Sequence, residues 1–194
     1  MPAINLANEP IGQDTAEDKP ETGGWYIAFG ARGQSLRDAE LAPMVNNVIA
    51  QIGITGDNAD RAQVCLTELI NNAVDHGILK LDSQLKSSPD GFQQFFDERR
   101  RRLDSIMSGA IFIRANLDYL EEGHFLRVAV SDSGEGFSAI ANRVEDDDNP
   151  AIPFGRGLRM VSQLADKLTF YDGGATAEFR IAVGANAQRT DQSI

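Results

Sequence analysis

Apolar positions along this chain follow two rhythms, and their alternation predicts a sheet with amphipathic helices laid against it. Trp25-Tyr-Ile-Ala-Phe29, rich in aromatic and branched residues and preceded by Gly23-Gly24, predicts a first strand. Leu41, Met44, Val45, Val48, Ile49 and Ile52 then recur at helical spacing and stop at Gly53. Ser35 is the expected cap of that helix, with Pro43 marking a kink or a late beginning. A second helix is expected from about Asp57 to His76, its buried stripe formed by Ala62, Cys65, Leu66, Leu69, Ile70 and Ala73, with Gly77 as its C-cap.

Beyond Lys80 the rhythm breaks. A polar loop leads to Ser88-Pro89, which opens a third helical stretch. Phe92, Phe95 and Phe96 form one apolar patch there and Leu103, Ile106 and Met107 another, separated by the charged run from Asp97 to Arg102. Either this helix packs its Phe side on the domain with its arginines solvated, or its basic cluster docks a partner. Alternation then returns. Ile111 to Leu117 and Phe125 to Ser131, around Glu121-Glu-Gly123, predict an antiparallel hairpin. Leu158, Val161, Leu164, Ala165 and Leu168 mark another amphipathic helix, and a last hairpin joins Leu168–Tyr171 to Ala177–Val183 through Asp172-Gly173-Gly174. The expected class is α+β, a two-layer sandwich with a mixed, mostly antiparallel sheet and helices on one face.

With 194 residues the chain suits one domain of ordinary size, or one domain plus a tail. Residues 1–24 read as a disordered lead or linker, 25–183 as the folded domain with a helical insert at 80–108, and 184–194 as a flexible tail. No apolar run approaches the roughly 20 residues that cross a bilayer, and Met1 to Gly24 lacks the basic and apolar regions of a secretory signal. One cysteine permits no disulfide framework, which favours the cytoplasm, and with two histidines makes a His/Cys zinc site implausible. A net charge of -11 argues against broad contact with nucleic acid. It also repels a polyphosphate, so local groups must supply the attraction. The acidic run Glu145-Asp-Asp-Asp148 reads as a solvated loop, inside a loop from Phe137 to Phe154 long enough to close over a ligand.

Three short stretches carry chemistry. On the second helix, Glu68, Asn72 and His76 align at i, i+4 and i+8, on a face without lysine or arginine. Asn72 offers a side-chain oxygen to magnesium, which keeps several waters and takes other ligands from phosphates. Glu68 is the candidate catalytic base, placed to accept the proton of an attacking hydroxyl or water. His76 either donates toward phosphates or caps the helix end. In Asp132-Ser-Gly134-Glu-Gly136, Asp132 can accept a hydrogen bond from the exocyclic amine of adenine, which predicts ATP over GTP. Gly134 and Gly136 admit a flat base or ribose without a Cβ in the way. In Gly155-Arg156-Gly157-Leu158 a Gly-x-Gly opens a helix whose free amides face an anion, with Arg156 as a candidate phosphate clamp. No Gly-x-x-x-x-Gly-Lys-Ser/Thr loop and no His-Arg-Asp catalytic loop is present.

The order Glu68-Leu-Ile-Asn-Asn72-Ala-Val-Asp-His76-Gly77, Asp132-x-Gly134-x-Gly136 and Gly155-Arg156-Gly157-Leu158 resembles the GHKL (Bergerat-fold) ATPases, which include DNA gyrase, the heat-shock chaperone, histidine kinases and the mismatch-repair protein. Within them the chain is most similar to the anti-sigma-factor serine kinases. The resemblance spans about Trp25 to Val183. It implies ATP and magnesium bound between helix and lid, and transfer of the γ-phosphate to a serine on a STAS-type anti-anti-sigma partner. It also leaves open contact with a sigma factor or anti-sigma regulator, and a homodimer.

Residues 80–108 exceed the family's usual link, and in this the chain looks like the kinase modules attached to response-regulator and serine-phosphatase switch proteins. No convincing dimerisation helix with a phosphoacceptor histidine is evident. Two other functions remain in view: a nucleotide-gated module that sequesters a regulatory partner without turnover, and a histidine-kinase catalytic domain acting in trans.

Overall fold

The computed structural model describes residues 24–82, 85, 89–120, 123–136 and 156–183. The expected lead, except Gly24, the expected tail, the acidic run 145–148 and the loop 137–154 lie outside these residues.

Five strands form one sheet in the order β1-β2-β3-β5-β4, where β1 is Gly24–Arg32, β2 Ala110–Leu120, β3 Gly123–Asp132, β4 Lys167–Tyr171 and β5 Thr176–Val183. Every pairing among them is antiparallel. The register sets one face. Phe29, Ile113 and Val130 stand opposite one another across three strands, and Ala115, Val128 and Phe179 do the same one step along. Ile111, Ile113, Ala115, Leu117, Leu126, Val128, Val130, Phe179 and Ile181 are buried on this face. A slip of one residue would send all of them to the other side, so burial fixes the pairing. The other face is mixed, and across β2 and β3 it carries an ion pair from Arg127 Nε to Asp118 Oδ2 at 2.6 Å.

The helices follow the apolar rhythm with local departures. Ser35 opens a four-residue helix, α1 (Ser35–Asp38), and caps nothing; the longer α2 (Leu41–Gln51) starts after it. Pro43 is the third residue of α2, where a missing N–H leaves no intrahelical bond unmade. Leu41, Val45 and Ile49 are buried, whereas Met44 on the flank of the stripe is exposed. Helix α3 (Asp57–Asn72) buries all six residues of its expected stripe, from Ala62 through Cys65, Leu66, Leu69 and Ile70 to Ala73, the last just past the helix end. It forms the centre of the core against the sheet.

Helix α3 does not end at His76. It widens into a six-residue π-helical turn, Ala73–Ile78, closed by the Leu79 amide donating to the Val74 carbonyl at 2.8 Å. The insert helix α4 (Pro89–Asp104) plants Phe95 fully in the core, with Phe92 and Phe96 half exposed and in edge contact at 4.8 Å. Its arginines are not simply solvated: Arg99 and Arg102 reach back to the π turn. The last helix, α5 (Arg156–Leu164), lies along α3, with Leu158 and Val161 in the core.

Arg61 ties α3 to the far end of α5. Its Nε donates to the Leu164 carbonyl at 2.8 Å and its Nη2 meets Asp166 at 2.7 Å. Burial works to raise the pKa of Asp166, but the Ala182 amide and the Arg61 guanidinium outweigh it and leave the group below its ordinary value. A depressed carboxylate contributes stability above the unfolded pKa and loses it as pH falls through the folded one. Arg61→Ala should therefore lower unfolding stability by about 1 kcal/mol near neutral pH, given the partial exposure of the pair. Urea titrations of both proteins should show that gap narrowing in acid; a gap that widens there contradicts the pairing.

Cys65 is fully buried, and desolvation pushes its thiol up to about 11. Iodoacetamide at neutral pH should leave the native chain unmodified and label it quantitatively after unfolding, as read by mass spectrometry.

Candidate functional site

The site forms where α3, its π turn, the end of β3 and the start of α5 converge. Glu68 and Asn72 lie one turn apart on the face of α3 that meets α5. Gly157, in the first turn of α5, comes so close that a Cβ there would strike the Glu68 carboxylate and lie 3.8 Å from Asn72 Nδ2. The Glu68 carboxylate therefore rests beside the amide end of α5, where the helix dipole and free N–H groups favour negative charge. Any side chain at position 157 would displace the Glu68 carboxylate from this place.

Asn72 is half buried, and its Nδ2 is buried without a hydrogen-bond partner. Buried amides are normally satisfied, and this one is left with a donor position open beside the start of α5. The two ends of a carboxamide exchange by a flip of the side chain, so the same position can present an oxygen. That fits an oxygen-seeking divalent ion with one protein ligand.

Asp132 ends β3 on the helix-facing side of the sheet and is wedged between two glycines. Its Oδ1 accepts the Gly134 amide at 2.7 Å, and its backbone N–H donates to Ala175 at 2.9 Å. A Cβ on Gly77 would meet all three atoms of the Asp132 carboxyl group, and one on Gly134 would strike the Gly77 carbonyl. Gly77 is therefore no C-cap: it lies inside the π turn and has no Cβ because the carboxylate occupies that space. Burial raises the pKa of Asp132; the Gly134 amide and the Lys80 charge oppose this without cancelling it. Gly136, with φ of 72°, packs its bare Cα against Gly173 and Ala175 at the β4–β5 turn.

His76 does not continue the line from Glu68. The π turn adds a residue to the helical repeat and swings the imidazole onto the Leu81 carbonyl at 2.8 Å through Nδ1. A carbonyl only accepts, so Nδ1 donates the proton of this contact. Arg156 is exposed at the first residue of α5. Leu158 is buried in the core and anchors the start of the helix. Gly155 lies outside the described residues. The structure thus brings Glu68, Asn72 and Gly157 together at one end of the site and Asp132, Gly134 and Gly77 at the other.

Reasoning from the chain alone saw Gly77 as a C-cap, set Asp75 beside the Glu68–Asn72 face and took the arginines as solvated or partner-docking, and so missed the contacts these residues make with one another and with Asp132. Asp75 is buried in the π turn and is paired with Arg99 of α4 at 2.6 Å. The visible signal for its pairing was a carboxylate next to His76 on an otherwise apolar turn, with four consecutive arginines some twenty residues later.

A five-stranded antiparallel sheet covered on one face by helices, with an acid and an amide on a central helix facing a glycine-opened helix, defines an ATPase-type nucleotide domain. The family model of the histidine kinase-like ATPase domain matches residues 35–181, and the chain belongs to that family. A search of curated proteins gave no match. Membership makes this an ATP-binding, kinase-like domain. None of the helices described is long and apolar enough to cross a membrane.

Gly77→Ala should displace the Asp132 carboxylate and weaken ATP binding at least about tenfold, about 1.4 kcal/mol, by isothermal titration. An unchanged affinity would mean that Asp132 is not part of the base-binding wall.

Proposed function

We propose that the chain is an ATP-dependent protein serine kinase of the anti-sigma, partner-switching kind, acting on a STAS-type anti-anti-sigma protein. The observation that carries the reading is the Glu68 carboxylate held on α3 beside Gly157 and Asn72, at the end of the site away from Asp132. With adenine against Asp132, the phosphates run toward the start of α5, and their terminal group arrives at Glu68.

In that arrangement Glu68 accepts the proton of the substrate serine as its oxygen bonds to the γ-phosphorus. The bond from that phosphorus to the β–γ bridging oxygen breaks, and ADP leaves. Asn72 would hold magnesium, which would supply neutralisation of the phosphate charge. The α5 amides and Arg156 hold the phosphates, an interaction of about 0.3–1 kcal/mol for the helix end alone. Asp132 selects adenine. The two histidines in the chain are engaged structurally, His76 on Leu81 and His124 edge-on to Tyr119 at 4.6 Å, which favours a serine acceptor on a partner over a histidine acceptor in this chain.

One observation favours a second reading, a nucleotide-gated binding module with negligible turnover. Phe92 and Phe96 stand half exposed on α4, where a partner could be held without chemistry.

Labelled ATP with a STAS-domain protein should place acid-stable label on a serine. Glu68→Ala should abolish the label and leave ATP affinity within about threefold, about 0.65 kcal/mol. Partner affinity that responds to ATP while phosphorylation is absent in both proteins selects the binding module, and acid-labile label on the partner selects a histidine kinase acting in trans. Asp132→Asn should weaken ATP binding by at least about tenfold, since an amide replaces one of the two acceptor oxygens with an N–H donor.

A further inference from the structure

We propose that Arg99 and Arg102 of the insert helix α4 are positioning residues for the nucleotide: they hold the π turn of the site in the shape that keeps Gly77 against Asp132. The inference rests on the reading of this pocket as an ATP site.

A π-helical turn is an unfavourable way to continue a helix, because its wider ring packs and hydrogen-bonds less well than the α form. It persists when surrounding groups hold it. Here the holding groups on the outer side come from α4. Arg99 Nε donates to Asp75 Oδ1 at 2.6 Å, and Asp75, with a side chain only 6% exposed, is among the few buried charged residues described. A buried carboxylate is tolerated when it is paired, and Arg99 supplies one such pairing to Asp75. Arg102 Nη1 donates to the Leu79 carbonyl and to the Lys80 carbonyl at 3.0 Å, at the exit of the turn. Lys80 has φ of 52°, a left-handed conformation that a residue with a Cβ adopts only under constraint, and Arg102 grips it there.

Arg102 is itself oriented from behind by Glu98, whose Oε1 it meets at 2.6 Å. Arg101 shares that carboxylate, and with both arginines donating to it the pKa of Glu98 falls to about 2, so it remains charged throughout the range in which the domain is used. The helix is seated by Phe95, which is completely buried. A chain of contacts therefore runs from the core through α4 and its two arginines to residues 75, 79 and 80. The turn in between contains Gly77, and Gly77 forms the wall against Asp132. Lys80 also lowers the pKa of Asp132 by its charge, so the same exit residue acts on the base-reading carboxylate directly. An insert of this length is thus part of the nucleotide site without touching the nucleotide.

The test uses the full chain with Arg99→Ala, Arg102→Ala, the double variant and Arg99→Lys, beside Ile181→Val as a mildly destabilised core control. At a temperature where circular dichroism shows every protein folded, the double variant should bind ATP-magnesium at least about tenfold more weakly, Arg99→Lys should recover part of that loss, and Ile181→Val should bind like wild type. Hydrogen exchange should quicken at the Leu79 and Leu81 amides in the double variant and not in the core control. Equal ATP affinity in wild type and double variant, or exchange at those amides that ignores both arginines, overturns the inference while leaving the ATP site intact. A wild-type chain that takes up no ATP overturns the ATP reading, and this inference with it.

Discussion

The close approach of a helix to the end of a strand organises this domain. The Asp132 carboxylate is admitted between Gly77 and Gly134 only because neither carries a Cβ, and that approach brings the Glu68–Asn72 face of α3 level with the start of α5. A methyl at Gly77 would push the π turn off β3 or turn the carboxylate away. Burial already raises the pKa of that carboxylate, so its charge is held by the Gly134 amide and the Lys80 cation against desolvation. A group kept in this state is suited to binding a hydrogen-bond donor better than water does.

Around this contact the molecule divides its work between apolar packing and arginine. The core is ordinary: branched and aromatic residues from α3, α5 and the inner sheet face exclude water and set the register. Packing alone does not fix where a helix end lies along its neighbour, because hydrophobic contact has little directionality. Directed hydrogen bonds do so. Arg61 fastens α3 to Leu164 and Asp166 beyond α5, and Arg99 and Arg102 fasten the π turn to α4. On an acidic chain these cations are placed where they meet carboxylates and helix-end carbonyls, groups that the planar guanidinium satisfies with several donors at once.

Much of the architecture was legible as periodicity. The α3 stripe from Ala62 to Ala73 and the two hairpins stand where alternation put them, because burial on one face imposes its period on any stable sequence. The three motif stretches were likewise legible as chemistry, and the domain family bears out that they belong to an ATP-binding, kinase-like domain. Boundaries and special geometry were less so. Ser35 looked like a cap but opens a separate short helix, and Met44 sat on the stripe of α2 yet is exposed, whereas Leu41, Val45 and Ile49 are buried. His76 kept perfect α spacing with Glu68 until one extra residue in the turn rotated it onto Leu81.

What residue order alone could establish was which faces are apolar and which polar types recur at helical spacing, since both follow from dihedral geometry within a few turns. It could not establish that Gly77 faces a carboxylate fifty-five positions away, or that Arg99 neutralises Asp75 rather than reaching solvent. Those are consequences of long-range packing: only when β3, α3 and α4 are assembled does the space between them become too small for a Cβ and too dry for an unpaired charge. Local preference chose the elements. The meeting of distant elements chose which glycine must be bare and which arginine must be present.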